Sequence, residues 1–479
     1  MSDLPIERVG DQLWEIPATA RPGMRVPARV FADAELLAAI EHDLSLEQLA
    51  NVATLPGIVE ASLAMPDIHQ GYGFPVGGVA ATEPPGGVVS PGGVGYDINC
   101  GVRLLALPLG AAELGSRREP LVHEIARRVP TGAGGKDRRG GVPGVRLDRV
   151  LAEGPRALAE DLGIGTEEDL RLTESAGCLE GADPALVSPR ARERGAGQLG
   201  TLGSGNHFLE LQYVDRLYDT DAARAYGLRE DQVTVLIHSG SRGLGHQVCT
   251  DFVRRMDAAL PRFGFELPDR QLSCAPIDSP EGRDYLGAMA AAANFAWANR
   301  AAIADRARQA IAQVLGQATA RRTRQVYDVA HNVAKLEDHG GREVCVHRKG
   351  ATRAFPPGHA EIPAEYQAAG QPVFIPGSMG TASFVLAGRP GSMERSFGTT
   401  CHGAGRRLSR AAVRKQVDGG VLRRRLREQG IAVRAASSRG LAEEAPEAYK
   451  DVDRVVEVVE RAGLAARVAR LRPIGVVKG

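Results

Sequence analysis

The spacing of apolar and polar positions divides this chain into short buried runs, Gly-rich turns and one long helical stretch. Val102–Leu107 is mostly apolar at consecutive positions, which predicts a strand covered on both faces. Val233–His238, Glu343–His347, Val373–Ile375 and Ser383–Leu386 predict further short strands. Asp284–Gln317 is rich in Ala and free of Pro, so it predicts a long helix. Asp33–Glu41, Glu153–Asp161, Ser409–Gln429 and Val452–Val468 predict four more. Between Met65 and Gly101 (MPDIHQGYGFPVGGVAATEPPGGVVSPGGVGYDINCG) Gly and Pro are so dense that no long regular element is expected. Such a segment favours close backbone packing around a ligand. Residues 131–147 (TGAGGKDRRGGVPGVRL) predict a mobile loop. No internal repeat or dividing linker interrupts the pattern. The expected fold is a single compact mixed α+β body over residues 1–479, with β-sheets surrounded by helices. An N-terminal cap covers about 1–60 and the core about 61–479.

Composition changes this picture little. Hydrophobic residues make up 43 % of 479, enough for a large core, and charged residues are 24 %, ordinary for a globular protein. Lys and Arg number 59 against 58 Asp and Glu, a net charge of +1, so any nucleic-acid contact has to come from local patches. The six cysteines (Cys100, Cys178, Cys249, Cys274, Cys345, Cys401) are widely spaced in a long chain. That fits reduced thiols rather than a disulfide framework. MSDLPIERVG has no apolar leader core, and no apolar run approaches the ~18 residues of a membrane span. A cytoplasmic protein without a membrane partner is expected.

Candidate chemistry sits beside the glycine-rich turns. Asp97 and Cys100 lie in GYDINCG, His207 in GSGNH, His238 in LIHSGSRG, His331 in DVAHN and His402 in CHGAG. Carboxylate, thiolate and imidazoles together suit a borderline divalent metal. The set exceeds one tetrahedral site, and a thiolate can bridge two ions. No pair has zinc-finger or H-E-x-x-H spacing, and a lone His at a strand end is more often structural, so the reading rests on the set as a whole. His42, His123, His339 and His359 lack such settings and are expected at the surface.

GTLGSGN (200–206), PGSMG (376–380) and HGAGR (402–406) could each cradle phosphates through backbone N–H groups, and each alone is a weak signal. A Walker A loop is absent: around Gly135-Lys136, Pro130 replaces the first Gly and Asp137 the Ser or Thr. The Lys-x-Asp-Gly string of lysine-nucleophile ligases is absent too. Covalent activation of a nucleotide would need another nucleophile, and histidine can serve.

The strings MPDIHQGYGFPVGGVAA, GYDINCGVR, QLGTLGSGNHFLE, IHSGSRGLGHQV, DVAHNVAK, HRKGATRAFP, PGSMGTASFVLAG, SFGTTCHGAGR, EAPEAYKDVDRVV and LRPIGVVKG resemble, in this order, the RtcB RNA-splicing ligase family. They run from about residue 65 to the last. The resemblance implies an RtcB-type fold. It also implies a GTP-dependent ligase that joins an RNA 2′,3′-cyclic phosphate or 3′-phosphate to a 5′-hydroxyl. The route passes through a histidine–GMP intermediate and an RNA-ppG end, in tRNA splicing or RNA repair.

By that resemblance His402 is the guanylylated histidine. Asp97, Cys100 and His207 are ligands of one Mn²⁺, and Cys100, His238 and His331 of a second. Asn206, His207, Phe208, Leu209 and Glu210 line the GMP site, with Glu210 reading the guanine edge. His331, Asn332, Pro376, Gly377, Ser378, Met379, Ser383, His402, Gly403, Ala404 and Gly405 are further nucleotide contacts. Tyr449 stacks on the base, Lys478 touches guanine, and Asp67 and Arg406 serve the substrate phosphates. Broken RNA or tRNA halves are the implied partners, with an archease-type activator common in the family. A monomer is expected.

Cys401 receives no role. The Arg-rich stretch 422–427 is either an RNA contact or a solvated helix face. The donor set alone would also suit a dinuclear metallophosphoesterase, and the fold alone a non-catalytic RNA-binding scaffold.

Overall fold

The structure, a computed structural model, describes residues 4–41, 43–132 and 141–479. His42 and Lys136 lie outside the described residues, as do residues 133–140 of the predicted loop at 131–147.

Two large mixed sheets carry the molecule, with helices around them. One has seven strands in the order Glu7–Gly10, Leu13–Ile16, Ala28–Phe31, Ser62–His69, Val76–Thr82, Glu343–Lys349, Asn332–Asp338. Its pairs are antiparallel except Ala28–Phe31 against Ser62–His69. The other has eight strands. Seven follow the order Arg324–Ala330, Gly101–Gly110, Gln232–Ser239, Phe208–Leu217, Ala465–Lys478, Ser383–Gly388, Pro372–Ile375, all antiparallel. Ala432–Ala435 adds to Ala465–Lys478 in parallel. His331 is the one residue between Arg324–Ala330 and Asn332–Asp338, so the chain crosses from one sheet to the other there.

Pro280–Leu315 is the long helix. The Ser279 side chain accepts from the Gly282 N–H at its start, Pro280 occupies the first turn, and Gly316 ends it. Its run of Ala lets it sit close against its neighbours, and the few large polar residues it buries are structural pins. Arg300 is one. Its guanidinium donates to Asn99 O at 2.7 Å and Ser239 O at 2.9 Å and pairs with Asp328. Asn299 bonds the Ser239 hydroxyl and Gly240 O, and accepts from the Gly200 and Thr201 N–H groups.

Several sequence expectations are corrected. The Gly- and Pro-dense segment does form regular elements, the strands Ser62–His69 and Val76–Thr82, because burial within a sheet overrides weak local propensity. The helix expected over Val452–Val468 stops at Arg461, and Gly463 at φ 72° turns the chain into the strand Ala465–Lys478. Ser409–Gln429 is two helices, Arg410–Gln416 and Gly419–Glu428, the second capped by Asp418. Glu153–Asp161 likewise splits at Gly154 into Leu147–Glu153 and Pro155–Leu162. The helix near 33–41 is confined to Ala34–Ala38. Arg242–Phe263, for which the sequence suggested no element, is a 22-residue helix that begins within SGSRGLGH. His339 is not a surface residue: it bonds Glu337 and packs edge-on against Phe397. His359 is half-buried, stacked on Phe355.

Candidate active site and metal centre

Antiparallel neighbours in the eight-stranded sheet bring distant parts of the sequence to one edge. Ala330 pairs with Gly101, Gly101 with Ser239, His238 with both Val102 and Phe208, and Phe208 with Lys478. Cys100 and His207 immediately precede two of these strands, His331 follows a third, and His238 and Lys478 lie near the ends of two more. Strand ends that alternate in direction thus deliver five side chains to one row.

Within that row, Nε2 of His207 stands 2.7 Å from Oδ2 of Asp97 and 3.3 Å from Sγ of Cys100. Nε2 of His238 lies 3.3 Å from the same sulfur and 3.3 Å from Nε2 of His331. The donors form two triplets, Asp97–Cys100–His207 and Cys100–His238–His331, each within 4.8 Å and sharing the sulfur. The turn that presents Asp97 and Cys100 depends on Gly240, where a Cβ would fall 2.4 Å from Oδ1 of Asp97. Arg300 fixes the backbone on both sides of it, at Asn99 and Ser239.

Electrostatics test whether these residues suit a cation. Burial, then neighbouring charge, drives His238 and His331 well below the usual histidine range, so both rings are neutral with a free lone pair. Burial opposes ionisation of Asp97, but His207 and Arg242 outweigh it and hold the carboxyl at about 2. Burial and the Asp97 charge push the Cys100 thiol well above its ordinary value. A thiol in that position keeps its proton unless a cation replaces it. Lone-pair donors thus crowd two points with few protons to share among them. The set fits two divalent ions bridged by a thiolate.

His402 stands beside this row, its ring centroid 4.9 Å from that of His331. Nδ1 of His402 is 2.6 Å from Oδ2 of Asp67, close enough for an ion pair though off the line of a well-aligned hydrogen bond. The same carboxylate oxygen accepts from the N–H groups of His402 and Gly403 at 3.1 and 3.2 Å. Burial would raise Asp67, but the charge and hydrogen bonds of His402 outweigh it and keep the carboxylate ionised. Gly405, at φ 74°, is needed because a Cβ there would lie 2.2 Å from Asp67 O.

Lys450 brackets Asp67 from the other side, its ammonium donating to Pro66 O at 3.1 Å and Ile68 O at 2.6 Å. Burial lowers this lysine to about 8. Lys450→Met strands both carbonyls and is expected to cost roughly 2–4 kcal/mol of stability. A thermal melt checks this, and an unchanged midpoint would contradict the clamp.

A cavity of about 270 Å³ opens over these residues. Asp97, Cys100, Asn206, Phe208, His238, His331, Asn332, Pro376–Met379, His402–Arg406, Tyr449 and Lys478 line it. Asn332 joins its two sides, donating to Asp97 O at 3.0 Å and accepting from the Gly350 N–H at 2.7 Å. Arg406 bonds Glu444 and the Tyr449 hydroxyl, with its guanidinium 5.1 Å from that ring centroid.

Glu210 is buried just behind the lining. Its Oε2 accepts from Gln212 at 2.7 Å, and its Oε1 has no partner. Burial raises Glu210 to about 8 and lowers nearby Lys478 to about 8. Ser383 is buried and accepts from the Gly377 N–H and Gln212 rather than lining the cavity. The Leu209 side chain joins an apolar cluster apart from the cavity.

Eight lining residues went unnoticed in the sequence, four of them with basic or acidic side chains. These four are His69; Lys349, whose ammonium donates to Tyr72 O and Phe74 O; Arg410; and Glu444. His69, Lys349 and Glu444 belong to motif-bearing strings and Arg410 follows one, but nothing in spacing alone marks them. Cys401 is buried in an apolar cluster.

Residues 48–479 match the family model described as tRNA-splicing ligase RtcB. The chain is 53 % identical over 479 residues to tRNA-splicing ligase RtcB of Archaeoglobus fulgidus, covering 99 % of each. It is 54 % identical over 481 residues to the protein of that name from Thermococcus kodakarensis, again covering 99 % of each. With RNA-splicing ligase RtcB of Mycobacterium tuberculosis the identity is 54 % over 444 residues, 90 % of this chain and all of the relative.

Proposed function

Because the chain belongs to the RtcB family of RNA-splicing ligases, we propose that it joins an RNA 3′-phosphate or 2′,3′-cyclic phosphate to a 5′-hydroxyl, using GTP and a covalent guanylate on His402. The observation that carries this reading is the place of His402. Its imidazole lies in the cavity beside a two-triplet donor set and is backed by an ionised carboxylate. Asp97, Cys100 and His207 would hold one Mn²⁺, and Cys100, His238 and His331 a second. When bound, these ions supply positive charge next to the reacting phosphates. Two unit negative charges at ~4 Å and an effective dielectric near 20 repel by roughly 4 kcal/mol, so a site that brings two phosphates together needs such compensation.

The protein's own groups account for the order of bonds. Asp67 holds the Nδ1 side of His402, leaving the Nε2 lone pair as nucleophile. Nε2 forms a bond to the α-phosphorus of GTP as the bond to the β-phosphate oxygen breaks and pyrophosphate leaves. Water opens a cyclic end to a 3′-phosphate and a 2′-hydroxyl. An oxygen of that 3′-phosphate displaces the histidine, giving RNA-ppG. The 5′-hydroxyl attacks the 3′-phosphorus, its proton passes to solvent, and GMP leaves. Incubation with α-phosphate-labelled GTP and Mn²⁺ tests the reading. An acid-labile label on the protein, released as RNA-ppG when 3′-phosphate RNA is added, is expected. Absence of any protein-bound label refutes it.

Guanine selection falls to Glu210, whose unpartnered Oε1 can accept from N1–H while Oε2 exchanges Gln212 for N2–H₂. Glu210→Gln is expected to cut the preference for GTP over ATP by ~1–3 kcal/mol, roughly 5- to 150-fold. Competition of ATP against labelled GTP measures it, and full retention of selectivity would rule this role out. The bound form requires a carboxylate where the free form titrates at about 8. Binding therefore releases a proton. GTP affinity should rise with pH and level off above about 8.

A further inference from the structure

The chain is nearly neutral overall, yet one segment is not. From Arg406 to Arg439 there are eleven Arg or Lys and two Asp or Glu, leaving 48 against 56 in the rest of the chain. The segment begins four residues after His402, contains the helices Arg410–Gln416 and Gly419–Glu428, and ends in the first turn of Ser438–Glu443. It starts at the cavity and returns beside it, where Ala435 pairs with Lys478. Arg406 and Arg410 line the cavity itself. Arg407 and Arg425 line an adjoining groove of about 660 Å³, which shares Ser378, Met379 and Tyr449 with it.

Five of the eleven have an acidic partner: Arg406 and Arg410 pair with Glu444, Arg414 and Arg439 with Glu443, and Arg425 with Glu447. Among the described residues Arg407, Lys415, Arg423, Arg424 and Arg427 have no side-chain partner. On Gly419–Glu428, Leu422 and Leu426 are 1 % exposed and anchor the helix, Arg424 and Arg427 point to solvent, and Nε of Arg423 is buried without a partner. Arg423–Arg427 and Arg424–Arg427 stand at spacings that set like charges side by side. Cations arranged without counter-charges beside a site that handles phosphodiester ends are complementary to a polyanion.

We propose that this basic segment is the docking surface for the RNA backbone outside the cavity, with Arg423, Arg424 and Arg427 contacting phosphates of the arm that leads away from the joined end. The proposal rests on the RNA-ligase reading above. The test uses the full-length protein with Arg423, Arg424 and Arg427 all changed to Glu, beside the same three changed to Lys. Labelling of His402 by GTP without RNA should stay within twofold of wild type in both, which also shows that they fold.

For an RNA with arms long enough to leave the cavity, the Glu variant should bind about tenfold or more weakly. The slope of log affinity against log salt should shrink by about two, since each of the three phosphate contacts to a single strand contributes about 0.7. The ligation KM should rise with kcat unchanged. The Lys variant should recover most of the affinity, and a dinucleotide end should bind all three proteins alike. Wild-type affinity and salt slope in the Glu variant overturn the proposal and leave an acidic protein as the better partner for this face. Equal loss for long and dinucleotide RNAs also overturns it. If wild type takes no label, the ligase reading fails instead, while the binding arms still judge the surface.

Discussion

Replacing His402 by alanine is expected to abolish both transfer of GMP from GTP to the protein and sealing of 3′-phosphate RNA. The loss should exceed about a thousandfold, as when a covalent nucleophile is removed from an otherwise intact site. The fold should survive, because the hydrogen bonds that tie this loop to Asp67 come from the backbone N–H groups of residues 402 and 403. One partial reaction should persist. Pre-formed RNA-ppG already carries its GMP, so its attack by a 5′-hydroxyl needs no nucleophilic histidine and the variant should still seal it. Gel assays with labelled GTP and with RNA-ppG separate the two steps. Persistent labelling of the variant would place the nucleophile elsewhere. Loss of both steps would instead assign His402 a part in the final attack.

The second large effect is expected at Cys100. Its sulfur lies 3.3 Å from Nε2 of both His207 and His238 and belongs to both donor triplets. Cys100→Ala should therefore weaken Mn²⁺ binding at both proposed sites at once, by at least the ~10–100-fold seen when even the groups behind metal ligands are changed. Guanylylation should fall to background. Asp97→Ala and His331→Ala each touch one triplet, so each should leave one strongly held ion per chain. Metal content after dialysis distinguishes the cases. Two tightly held ions in Cys100→Ala would disprove the shared-thiolate arrangement.

How legible all this was depended on what each residue does. Asp97, Cys100, His207, His238, His331 and His402 were visible because ligand-type side chains next to glycine-rich turns are uncommon in combination, and the structure brings them to one edge. Their mutual arrangement was not visible. It follows from five strands whose order, 324–330, 101–110, 232–239, 208–217, 465–478, no local pattern specifies. Val102–Leu107 and Asp284–Gln317 were readable from an apolar run and an Ala-rich one. The strand Ala465–Lys478 was misread in part as helix, because the apolar spacing of Val452–Val459 continues past Gly463, where the backbone reverses its preference. Lys450 and Arg300 escaped notice because their role is to hold carbonyls, and a carbonyl leaves no mark in the sequence.

The strand Ala465–Lys478 lies between Phe208–Leu217 and Ser383–Gly388, yet follows every other strand of its sheet in the chain. On the ribosome it is therefore the final piece of that sheet to emerge. Until it inserts, the long pairing edge of Phe208–Leu217 is bare and open to wrong neighbours. Chaperone dependence and aggregation should concentrate in that interval, and stalled chains lacking this strand should be inert however much of the rest has been made.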